Sequence, residues 1–187
     1  MITYDGIPYA TSIGLALYTA ERNHGIFKNH FITFSDNPIL QEVRGKTIKE
    51  KVNNIESIVA NTDIDKVFEL ILNTMIENNL SEEDLPSHIL IISDMEFDQG
   101  VYTKNGTNFS GWKDAFKEQG YTLPNVIFWN VACFTQGVPV TKFDNDVAMI
   151  SGFSTNVLEN ILTLENYNPT NVMLEKLKTY LEMLREE

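Results

Sequence analysis

Short, nearly continuous apolar runs recur along this chain, and segments with helical periodicity lie between them. HFITF (30–34), HILIIS (88–93), NVIFWNVA (125–132) and VAMISG (147–152) are each bounded by turn residues. A strand that is apolar at every position, rather than at every second one, fits a parallel sheet covered on both faces. Between the runs, the segment from Pro8 to Asn23 places Ile13, Ala16, Leu17 and Ala20 at helical spacing, and residues 65–79 place Phe68, Ile71, Leu72, Met75 and Ile76 on one face. The order of elements therefore predicts an α/β fold, with a mostly parallel central sheet flanked by helices on both faces, in a single domain spanning 1–187.

The remaining segments complete the expectation. ILQEVRG (39–45) suits an edge strand closed by Gly45, and a helix is expected from about Thr47 to Val59. Gln99 to Gly111 reads as a polar loop, followed by the aromatic helix WKDAFKEQ stopped by Gly120. Two further helices are expected at about 154–163 and 170–185.

In a parallel sheet, ligands bind outside the carboxyl ends of the strands. Asp94 follows HILIIS at that edge, with Glu96 and Asp98 close behind in SDMEFD. The cluster is open to three readings: a cation site, a catalytic carboxylate set, or a solvated loop. Thr62 begins the run Thr62-Asp63-Ile64-Asp65, which fits a helix N-cap with an acid three residues on.

Charge and special residues narrow the functional classes. Against 26 acidic residues stand 14 basic ones, a formal net charge of −12, so DNA binding is not expected and RNA binding is disfavoured. No segment approaches the roughly 20 apolar residues of a membrane span, and MITYDGIPYA has neither the basic start nor the apolar centre of a signal peptide. A cytoplasmic protein is expected. The one cysteine, Cys133, lies in an apolar run and reads as an inert buried thiol, while His24, His30 and His88 lack metal-ligand spacing.

NTDIDKVFELIL (61–72), followed some 30 positions on by LIISDMEFD (90–98), resembles the von Willebrand factor A fold. PYATSIGLALYTAERN, FITFSDNP, GYTLPNVIFWN, PVTKF and MISGFSTN resemble, in order, an uncharacterised group of phage, bacterial and eukaryotic proteins whose A-type domain is related to that of the Ro/TROVE proteins. The resemblance implies a magnesium ion held at the carboxyl edge, with Thr62 and Asp94 as ligands and Ser93, Glu96 and Asp98 as surrounding or solvated groups. It also implies a protein partner whose carboxylate completes the coordination.

The family's Asp-x-Ser-x-Ser loop and the strand before it have no counterpart in these 187 residues, so magnesium binding is expected to be weak or absent. By the same resemblance, the missing strand would lie between HFITF and HILIIS. Either those two strands pair directly, or a segment of the same or another molecule fills the gap, with homo-oligomerisation as one outcome. The alternative functions are a magnesium-dependent hydrolase using Asp94, Glu96 and Asp98, and a Ro-like RNA-associated protein.

Overall fold

The computed structural model describes residues 6–33, 37–56, 63–93, 102–103, 106–107, 109–131 and 147–152, together with 173–174, 177–178 and 180. The chain divides into two compact units, Met1–Ser151 and Gly152–Glu187. In the second unit the described positions 173–174, 177–178 and 180 are helical, within the helix expected at 170–185; the helix expected at 154–163 lies outside the described residues.

The first unit is mixed α/β. Its sheet consists of β3 (His88–Ser93), β6 (Asn125–Asn130) and β7 (Val147–Ser151), all parallel in the order β3-β6-β7. Both faces of β6 are buried: Val126, Phe128 and Asn130 point to one side and Ile127 and Trp129 to the other, none more than 2% exposed. That explains why NVIFWN is apolar without alternation.

One face of the sheet packs on two helices. Helix α3 (Ile64–Glu77) buries Ile64, Val67, Phe68, Ile71, Leu72 and Met75, an i, i+3, i+4 stripe worth roughly 1.5–3 kcal/mol for each large side chain. Ile76, expected on that face, is instead 40% exposed, because the stripe is centred on Phe68 and Met75 and leaves position 76 at its margin. Helix α4 (Phe109–Glu118) adds Phe109 and Phe116. Phe109 meets Phe68 edge-on at 5.6 Å and Phe128 at 6.2 Å, so three elements lock through one aromatic cluster.

The other elements are smaller. Helix α1 (Gly6–Arg22) buries Leu17 and Ala20 and contacts both β3 and β1 (His30–Ile32). Strand β1 pairs antiparallel with β2 (Leu40–Glu42) in a separate two-stranded sheet, and β1 and β3 do not pair with each other.

Helix α2 (Ile48–Asn53) is much shorter than the expected 47–59. It buries no side chain, Ile48 being 76% exposed, so there is no apolar stripe to extend it. A capping box holds it instead: Thr47 Oγ1 accepts from the Glu50 amide, and the Glu50 carboxylate accepts from the Thr47 amide. Asn54 ends the helix, and its side-chain amide donates to the Arg44 carbonyl at 3.0 Å. Residues 57–59 of the expected helix lie outside the described residues.

The expected polar loop at 99–111 also differs. It contains a small antiparallel ladder, β4 (Tyr102–Thr103) with β5 (Gly106–Thr107), and α4 begins within it at Phe109. The ladder pairs Tyr102 with Thr107 and Thr103 with Gly106, a pairing that the polar composition of the segment concealed.

Candidate functional site at the carboxyl edge of the sheet

Register brings three polar residues into one row. Ser93 at the end of β3 pairs with Asn130 at the end of β6, which in turn pairs with Ser151 at the end of β7. In-register neighbours on parallel strands share a face. Two residues back, Ile91, Phe128 and Met149 occupy that same face inside or against the aromatic core. The face therefore changes from apolar to hydroxyl and amide at its carboxyl end, with Asn130 only 2% exposed.

The starts of two helices are joined beside this core. The Trp112 indole N–H donates to Asp65 Oδ1 at 2.7 Å, tying the first turn of α3 to the first turns of α4, and Trp112 also stacks at a tilt on Phe68. Asp63 is the N-cap of α3: its carboxylate accepts from the Lys66 amide at 3.3 Å, and Lys66 Nζ lies 3.9 Å away. Capping therefore falls to Asp63, not to Thr62 as the pattern Thr62-Asp63-Ile64-Asp65 had indicated.

Of the sequence-predicted site residues, Ser93 is described, and it ends β3 as expected. Thr62, Asp94, Glu96 and Asp98 lie outside the described residues, as does Cys133. The chain neighbours of the two expected ligands are the N-cap of α3 for Thr62 and the last residue of β3 for Asp94. Among the described residues, no group of three His, Cys, Asp or Glu side chains is placed to hold a metal ion. Asn130 and Ser151 were not anticipated as part of this edge. Ser151 closes its apolar run as Ser93 does, whereas Asn130 is a lone polar residue inside NVIFWNVA, level with Ser93 only once the register is known.

The three histidines are scattered. His30 Nδ1 lies 2.7 Å from the Lys28 carbonyl, and His88 Nδ1 lies 2.9 Å from Ser87 Oγ at the opposite, amino end of β3. Burial pushes the His88 imidazole below its ordinary pKa.

A parallel α/β sheet with a polar row closing its carboxyl edge defines the class of this protein by architecture. The chain belongs to the family described as a domain of unknown function (DUF7788), which matches residues 1–183. It is also similar to a protein of Acanthamoeba polyphaga mimivirus described as "Uncharacterized protein L728", with 30% identity over 178 residues. That match covers 94% of this chain, and the chain spans 31% of the length of the viral relative. No solved structure gives a significant match.

Proposed function

We propose that this chain is a von Willebrand factor A-like binding module that recognises a protein partner at the carboxyl edge of its sheet. In this reading the sheet is flanked by helices on both faces and the protein works in the cytoplasm. The observation that carries it is the row Ser93, Asn130 and Ser151, which continues in sequence into Asp94.

The donor chemistry fits magnesium, a hard ion that prefers oxygen ligands and uses one or two carboxylates. Thr62 and Asp94 would hold it, with Ser93, Glu96 and Asp98 around them. Capping of α3 by Asp63 means that Thr62 is not needed for that role. When bound, the ion supplies a coordination position that a partner's carboxylate can take from water. One hydroxyl and one carboxylate leave most of the octahedron to solvent, so affinity is on the order of millimolar. The acidic balance of the chain continues to favour a protein partner over DNA, RNA or an anionic membrane.

Calorimetry with magnesium and manganese tests the reading. Weak binding that disappears in Asp94→Ala is expected. Metal-dependent phosphatase or nuclease turnover abolished by Asp94→Asn would instead establish the hydrolase alternative.

A further inference from the structure

Helix α2 and the turn before it form a basic and apolar patch on an acidic chain. Residues 44–52, RGKTIKEKV, hold Arg44, Lys46, Lys49 and Lys51 against a single acid, Glu50. Two of these cations have partners within the protein: Arg44 Nε lies 2.8 Å from the Glu42 carboxylate, and Lys51 pairs with Glu21 on α1. Lys46 and Lys49 are exposed and make no ion pair among the described residues. The Glu50 carboxylate is turned to the backbone, where it accepts from the Lys46 and Thr47 amides.

Beside these lysines stand two apolar side chains. Ile48 and Val52 lie one turn apart on the same face of α2, 76% and 38% exposed, with Lys49 at the margin of that face. A helix that buries nothing is expected to be polar all round, and both residues are β-branched and poor helix formers. Neither packing nor helix propensity accounts for them. The patch is also held in one shape: the capping box at Thr47, the Asn54 amide on the Arg44 carbonyl and the close approach of Gly45 to Glu50 and Lys51 fix turn and helix together. A preformed surface loses little freedom on binding.

We infer that this patch docks a short acidic segment of a separate protein, one whose carboxylates flank an apolar side chain. Lys46 and Lys49 take the carboxylates, and the ridge of Ile48 and Val52 takes the apolar group. The net charge of −12 does not oppose such a ligand, because at physiological salt charges beyond about 8 Å are screened and the local lysines decide. It does oppose a nucleic acid, a long polyanion that would run beyond the patch over the acidic remainder of the chain. The patch shares no residue with the carboxyl edge, so it stands independently of the metal reading.

The probe is a synthetic peptide with two leucines between pairs of glutamates and blocked ends, titrated into the full chain while amide resonances are followed by residue. Shifts are expected at residues 46–52 and not at His88 or Asn125, with a dissociation constant on the order of 100 µM, since exposed ion pairs contribute little. Lys49→Glu should weaken binding about tenfold and Ile48→Ala about fivefold; both positions are exposed, and the first turn of a helix accepts either replacement. Two peptide changes leave the protein untouched: serines in place of the leucines should weaken binding about fivefold, and lysines in place of the glutamates should abolish it. No shift at residues 46–52 with millimolar peptide would overturn the proposal, as would equal binding of the serine or lysine peptide or an affinity unchanged in Lys49→Glu. A single-stranded oligonucleotide that shifts the same amides at lower concentration would assign the patch to a nucleic acid. A dimer by light scattering that Lys49→Glu dissociates would assign it to a second copy, and either result overturns the proposal too.

Discussion

His88 illustrates how a single side chain sets a pH response. Its Nε2 is buried without a hydrogen-bond partner, and burial holds its pKa below the ordinary 6.5. The unfolded chain therefore takes up the proton first as pH falls. The stability that comes from keeping this imidazole neutral is fully present above about 6.5 and is lost as pH falls below that value through the lower pKa of the folded state. Thermal melts between about pH 7 and pH 5 should show a falling midpoint whose slope is reduced in His88→Phe; an unchanged slope would mean that other groups govern it.

Gly45 gives a second test at this scale. Its φ of +126° lies in the region that side chains rarely adopt, and an added Cβ would stand 2.7 Å from Glu50 Cβ and 2.8 Å from the Lys51 nitrogen. Gly45→Ala should cost roughly 1–3 kcal/mol in denaturant unfolding.

Among the elements, those legible in the sequence were the ones whose apolar pattern matches their burial. The stripe of α3 and the unbroken runs of β3, β6 and β7 lie where periodicity put them, because burial is what enforces a period. Helix α2 was overestimated for the complementary reason: propensity alone extends KTIKEKVNN, but with nothing to bury, the capping box supports only Ile48–Asn53. The hairpin at Tyr102–Thr107 was hidden in polar composition.

The helix pair α3 and α4 makes its own prediction. Trp112→Phe keeps the ring packed on Phe68 but removes the donor to Asp65, and should cost about 1–3 kcal/mol in equilibrium unfolding. Asp65→Asn, which can still accept from the indole, should cost less. Equal losses in the two variants would contradict the assignment of that hydrogen bond.

On the scale of the whole molecule, the edge of the sheet was partly legible. The sequence places Asp94 after an apolar strand, and Ser93 ends that strand as expected. Asn130 and Ser151 joined the edge only through the register of β6 and β7, a long-range fact that no local spacing encodes. Charge works at this scale as well: 26 acidic against 14 basic residues give the chain a formal net charge of −12, an unfavourable balance for nucleic-acid binding.

The central claim is that the carboxyl edge is where this protein binds, and paramagnetic broadening by manganese tests it most directly. Titrated to millimolar levels, manganese should broaden the amide resonances of Asp63, Ser93 and Asn130 before those of His88 and Asn125 at the amino end, and Asp94→Ala should abolish that order. Broadening spread evenly over exposed carboxylates such as Glu83 and Glu118, or unchanged in Asp94→Ala, would contradict the account.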